Sequence, residues 1–102
     1  MSRRLELDKR LRAILGSKNT YFHPPESVKL KYPCFVYELD GIDQKMADNR
    51  HYIDQDRYSI TYITKDVESD IARTMFNAFP TSSFEDKQSS DGMWHYIFSL
   101  YF

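Results

Sequence analysis

Trp94-His95-Tyr96-Ile97-Phe98-Ser99-Leu100-Tyr101-Phe102 alternates with a period of two. Trp94, Tyr96, Phe98, Leu100 and Phe102 share one side, and His95, Ile97, Ser99 and Tyr101 share the other. Large apolar residues on one side and mixed residues on the other predict a strand packed on a core through one face. No polar tail follows Phe102, so this end of the chain is expected to belong to the sheet. The second side is mixed in character, because Ile97 and Tyr101 lie beside His95 and Ser99. That surface is apolar enough to be covered by a helix or by a neighbouring protein, and assembly rather than catalysis is the expectation.

Working back from this strand, Ser90-Asp91-Gly92 is a turn and Ser82 to Gln88 a partner strand, which together form a hairpin. Before it, Val67, Ile71, Met75, Ala78 and Phe79 make a helical stripe that stops at Pro80. Asp66 is the predicted N-cap, and Glu68 and Asp70 suit the positive end of that helix. Two further strands precede the helix. In Cys34 to Leu39, Phe35, Tyr37 and Leu39 alternate with Cys34, Val36 and Glu38. In Arg57 to Thr64, Tyr58, Ile60 and Tyr62 lie opposite Thr61 and Ile63.

Asp40 to Asp56, with Gly41 near its start and only Ile42, Met46, Ala47, Tyr52 and Ile53 apolar, reads as a polar loop too long for a hairpin. Loops of that length in compact domains tend to be functional or disordered, and this one is expected to become ordered by contact. At the other end, Leu7, Leu11, Ile14 and Leu15 predict a helix over Arg3 to Leu15, with Gly16 as its C-terminal cap. Tyr21-Phe22-His23-Pro24-Pro25 is an extended edge or loop, since proline cannot donate to a ladder and restrains the residue before it. The expected architecture is one α+β domain over residues 1–102 in the order α-β-β-α-β-β. It has a mostly antiparallel sheet of four or five strands, counting a possible short strand near Tyr21, and two helices on one face.

At 102 residues a single domain buries roughly two thirds of the surface its unfolded chain exposes, enough for a core without metal or disulfide. Cys34 is the sole cysteine and is expected to act as a small buried hydrophobe in a reducing compartment. The N-terminal residues lack the apolar run of a signal peptide, and no stretch reaches membrane-spanning length. A soluble protein, not exported by the usual route, is expected.

The net charge is -1, but residues 1–31 carry +5 and residues 32–102 carry -6. A near-neutral total argues against a dedicated DNA-binding domain. Segregation suggests a bipolar surface suited to head-to-tail association or to two different partners, unless the fold interleaves the two charge sets.

Few residues suggest chemistry. His23, His51 and His95 have none of the local spacings of a zinc motif, and His95 in an aromatic strand reads as packed or interfacial. Asp40, Asp43, Asp48, Asp54 and Asp56 do not reproduce the alternate ligands and closing Glu of a calcium loop. The glycines, Gly16, Gly41 and Gly92, make no phosphate loop. Neither Cys34 nor any serine sits in a nucleophile motif. The 8 Tyr and 7 Phe fall mostly at strand positions that a core or protein interface requires, which makes base stacking the weaker reading.

Several segments in order resemble one family. They are Gly16-Ser17-Lys18-Asn19-Thr20-Tyr21-Phe22-His23-Pro24-Pro25, Tyr32-Pro33-Cys34-Phe35-Val36-Tyr37, Ala47-Asp48-Asn49-Arg50-His51-Tyr52, Arg57-Tyr58-Ser59-Ile60-Thr61 and Asp91-Gly92-Met93-Trp94-His95-Tyr96. Their order and spacing are similar to those of tail-completion or tail-terminator proteins of long-tailed bacteriophages and prophages. The resemblance implies a non-enzymatic virion protein, without cofactor or metal, assembled in the bacterial host cytoplasm and located at the head-tail junction. It implies a homo-hexameric ring that caps the tail tube and meets the tail tube protein and the head connector or head-closure protein. DNA would pass through its lumen without specific binding, and no membrane is involved. The family has no catalytic residues to transfer, so the candidate site is an interface: Asp48, Asn49, Arg50, Tyr52, Arg57, His95 and Tyr101. The alternative is a nucleic-acid-binding adaptor using Arg3, Arg4, Lys9, Arg10 and Arg12 of the first helix.

Overall fold

Leucine at positions 7, 11 and 15 recurs at helical spacing, and these three side chains are buried along helix α1 (Arg3–Leu15). Gly16 follows at φ 76°, and its N–H closes the last turn on the Arg12 carbonyl at 2.8 Å, a left-handed cap that glycine adopts without penalty. The computed structural model describes residues 3–47, 50–66 and 70–102, with the backbone alone for residues 41–55. After α1 come strands β1 (Thr20–Phe22), β2 (Cys34–Ala47) and β3 (Arg50–Thr64), helix α2 (Ile71–Ala78), and strands β4 (Ser83–Ser90) and β5 (Met93–Tyr101).

The strands form one sheet in the order β1-β2-β3-β5-β4. β1 runs parallel to β2, and the other pairings are antiparallel. This is the expected single α+β domain, with the extended segment at Tyr21 present as a short edge strand. Phe35 and Tyr37 of β2, Tyr58, Ile60 and Tyr62 of β3, and Phe98 and Leu100 of β5 pack with Leu7, Leu11, Leu15, Met75 and Phe79 in one core. Both helices therefore lie on the same face of the sheet. Asp91 and Gly92 take φ values of 53° and 75°, the two positive angles that match a two-residue turn to the twist of the β4–β5 hairpin.

Two expectations are corrected. Within Asp40 to Asp56, residues 40–47 and 50–56 are strand rather than loop: β2 and β3 run on through them as an antiparallel pair, from Ile42–Asp56 to Ala47–Arg50, with Asp48 and Asn49 outside the described residues. The paired partner of β3 on its other side ends at Arg57–Tyr101, and β1 ends at Phe22–Tyr37. Among the described residues no further strand lies beside the two strands beyond these points, the last contact on that side being the Phe102 N–H on the Asp56 carbonyl at 3.0 Å. Along this ribbon each strand has a partner on one side only, so no second layer of the sheet demands an apolar alternation, which is why its sequence looks like a loop. β3, at 15 residues, spans about 50 Å at the usual rise per residue, matching the longest dimension of 49 Å. The radius of gyration, 14.4 Å, exceeds the roughly 13 Å of a spherical domain of this length.

The second correction concerns α2. Asp70 rather than Asp66 stands at its N-cap, without a side-chain capping bond, and the Asp66 N–H instead binds Thr64 Oγ1 at 3.1 Å. Val67 and Glu68 lie outside the described residues. Phe79 is extended, at φ -122° and ψ 112°, because the residue before Pro80 is excluded from the helical region, yet it remains buried in the core.

A polar lock fixes α1 on the sheet. Asp8 Oδ1 accepts hydrogen bonds from Thr20 Oγ1 at 2.8 Å and from Tyr37 Oη at 2.7 Å. Its Oδ2 meets Arg12 Nε at 2.8 Å, and Arg12 Nε also reaches Thr20 Oγ1 at 3.1 Å. On the other flank, the Arg10 guanidinium lies over Phe79 at 5.8 Å and Phe102 at 5.5 Å.

Replacing Phe98, 2 % exposed, with Ala is expected to cost about 3–5 kcal/mol of a total on the order of 5–15 kcal/mol. Urea unfolding checks this, and a loss below about 1 kcal/mol would contradict the packing of this face against the helices.

Candidate functional site

Because side chains alternate across a strand, the face opposite the helices carries Val36, Glu38, Asp40, Arg57, Ser59, Thr61, His95, Ile97, Ser99 and Tyr101. Val36, Ser59, Thr61, Ile97, Ser99 and Tyr101 are half-buried by their neighbours within the sheet. One end is covered among the described residues: Tyr21 of β1 and Leu30 of the His23–Pro33 connection pack with Val36 over Cys34, Ile63 and Met93. Among the described residues no helix lies on the rest of this face.

The β1 and β4 edges of the sheet resist strand addition. β1 has three residues and runs into Pro24 and Pro25. β4 is broken by a register shift between Phe84 and Asp86 and carries Glu85, Asp86 and Lys87. Short, bulged and charged edges are the usual defences against edge pairing.

Arg57 and Tyr101 are register partners. The Arg57 Nε meets Asp40 Oδ2 at 3.0 Å, and the Tyr101 side chain, followed by Asp40, pushes the guanidinium pKa up. Thr81 Oγ1 donates to the Tyr101 carbonyl at 2.6 Å and accepts from the Tyr101 N–H at 3.2 Å. This group therefore marks the base of the ribbon, where the sheet narrows to two strands. His95 is on the same face but opposite Ile63 and Gln88, six residues along β5 and about 20 Å from Tyr101.

Of the other predicted interface residues, Arg50 opens β3 opposite Ala47, and Tyr52 falls at the register shift between the Lys45–Ile53 and Met46–His51 pairs. Asp48 and Asn49 lie outside the described residues. The structure thus joins Arg57 to Tyr101, leaves His95 apart and carries Arg50 and Tyr52 on the ribbon. Asp40 was foreseen only as a loop carboxylate, and Thr81 carried no sequence signal because its role depends on a backbone 20 residues away.

The helix side has its own exposed apolar group at the β4 margin. Phe84 is 50 % and Phe76 42 % exposed, and the Lys87 ammonium lies over Trp94 at 5.0 Å and Tyr96 at 5.9 Å. An open recess of about 510 Å³ lies between Tyr32, Thr64, Lys65, Asp66 and Ile71. Among the described residues, no three His, Cys, Asp or Glu side chains gather as metal ligands, and no helix is long and apolar enough to cross a membrane.

Burial raises the Cys34 thiol to about 11. Tyr37 rises to about 12, through burial first and its bond to Asp8 second. Both are neutral acids held protonated in the fold, whereas the unfolded chain releases these protons near 9.0 and 10.0. The unfolded state binds fewer protons above those values, so stability is flat below about pH 9 and falls as pH rises toward 11 and 12. Urea midpoints at pH 7.5, 9 and 10.5, expected to be level between the first two and lower at the third, check this; a level series would contradict it. No protein-family model, no curated protein and no solved structure matches this chain.

Proposed function

We propose that the protein is a structural component of a tailed bacteriophage virion that assembles as a hexameric ring at the head-tail junction. There it ends the tail tube and docks it to the head connector, letting DNA pass without specific binding. The observation that carries this reading is the division of the sheet: one face is closed by helices, and the other is left open beside a projecting two-stranded ribbon. An isolated ribbon is marginal in water, and an open, partly apolar sheet face gains by contact, so both features favour assembly. The sequence resemblance supplies the phage context.

The adaptor reading is supported by the exposure of Arg3, Lys9, Arg10 and Arg12 on α1. Against it, several cations of this helix are already engaged. Arg4 lies over Phe22 at 4.8 Å, Arg10 over Phe79 and Phe102, and Arg12 pairs with Asp8. Phosphate contacts would compete with these packing roles.

Sedimentation of the purified chain without nucleic acid is expected to show a hexamer or concentration-dependent association. Tyr101→Asp should melt as the parent does but associate poorly, because a charge desolvated at a contact disfavours the assembled state more than the free subunit. Particles assembled without the protein should have overlong tails; normal tails beside unattached heads would indicate a joining role instead. A monomer that binds DNA with steep salt dependence would overturn the ring and favour the adaptor.

A further inference from the structure

We infer that His23 is a protonation-operated plug: its neutral imidazole closes the edge of β2 where the ribbon begins, and its protonation opens that edge. The last register pair of β1 with β2 is Phe22–Tyr37, one residue short of His23. His23 continues the ladder by other means. Its backbone N–H donates to the Tyr37 carbonyl at 3.0 Å, and its Nε2 accepts from the Leu39 N–H at 3.0 Å. The main chain does not run on beside Leu39, because His23 has turned to φ 45° and Pro24 and Pro25 follow. Proline neither extends a paired strand nor donates to its ladder. One side chain thus supplies the acceptor that a longer β1 would have supplied, where β1 gives out along β2.

An N–H donor needs an unprotonated ring nitrogen, so this bond leaves Nε2 bare and places the proton of the neutral ring on Nδ1. A second proton turns Nε2 into a donor. Two donors then face each other, and the imidazolium must leave the Leu39 N–H. Histidine is the side chain whose ordinary charge change falls between pH 5 and 8, and His23 is exposed, so solvent protons reach it directly. The Phe22 ring orients the imidazole, with centroids 4.6 Å apart and planes at 83°. The charged and titratable groups around this corner come from four elements. From α1, Arg4 lies over the same Phe22 ring at 4.8 Å, and Asp8 is bonded to Tyr37 of β2. In β2, the exposed Glu38 and Asp40 flank Leu39, and Asp40 is paired with Arg57 of β3. Glu26 of the following connection is exposed. None of these alters which atom can accept: a doubly protonated ring has two donors and no acceptor.

NMR on the parent chain and on His23→Ala tests the plug. At pH 8 the ring nitrogen shifts of the parent should place the proton on Nδ1; a neutral ring protonated on Nε2 overturns the inference. From pH 8 to pH 5, Leu39 amide exchange, corrected for the intrinsic effect of pH, should quicken at least about tenfold along the same curve as the His23 ring signals. The Ile60 and Tyr62 amides should keep their protection. In His23→Ala, Leu39 should exchange fast at both pH values while those core amides stay slow. Leu39 protection that is level with pH in the parent, or that survives in the variant, contradicts the plug. A fall shared equally by Ile60 and Tyr62 also contradicts it, because it reports loosening of the whole sheet. The parent readings decide the matter even where the variant does not fold. None of them requires association, so failure of the plug and failure of the ring are told apart.

Discussion

Asp8 fastens the helix layer to the sheet. One carboxylate receives Thr20 from β1 and Tyr37 from β2, and holds Arg12 one turn further along its own helix. Apolar burial supplies most of the energy here, since each of Leu7, Leu11 and Leu15 contributes roughly 1.5–3 kcal/mol. That burial is non-directional. Leaving the Tyr37 hydroxyl without its acceptor would cost on the order of 1–3 kcal/mol, so the carboxylate penalises rotations of α1 that the leucines alone would tolerate. With Asp8 turned inward, Lys9 and its neighbours are turned outward, and the sign of that surface is set.

The same constraint divides the sheet into unequal faces. Tyr58, Ile60, Tyr62, Phe98 and Leu100 are used up by the helices, which leaves Ser59, Thr61, Ile97, Ser99 and Tyr101 on the face opposite them. Cys34 and Ile63 have cover because the 23–33 connection crosses that end. The opposite end has none, and there β2 and β3 outrun every other strand. At that end the Arg57–Asp40 ion pair and Tyr101 mark where the sheet narrows to two strands.

Elements with one packed face were legible in the sequence. The Leu7–Leu11–Leu15 stripe and the Tyr96–Phe98–Leu100 alternation each encode a direction toward a core, and α1 and β5 follow them closely. The ribbon was not legible, because pattern reading depends on a face held against a core, and along 42–47 and 50–56 the described ladder joins β2 to β3 alone. The start of α2 was missed for a related reason. Asp66 is as good a cap by residue type as Asp70, and the choice turns on Thr64, whose hydroxyl takes the Asp66 N–H. Of the interface, Arg57 and Tyr101 were identified separately, and their meeting follows from β3–β5 register, a non-local property. Asp40 completes that group only because β2 continues past Leu39 as a strand.

Amide hydrogen exchange as a function of protein concentration tests the central claim, that the ribbon and the open face exist to be covered by another protein. In dilute monomer, the amides of 42–46 and 53–56 should exchange far faster than those of Tyr58–Tyr62. On association they should slow, while the buried stretch of α1 stays as it was. Slow exchange of the ribbon in a verified monomer, or protection confined to other surfaces on association, would contradict the account.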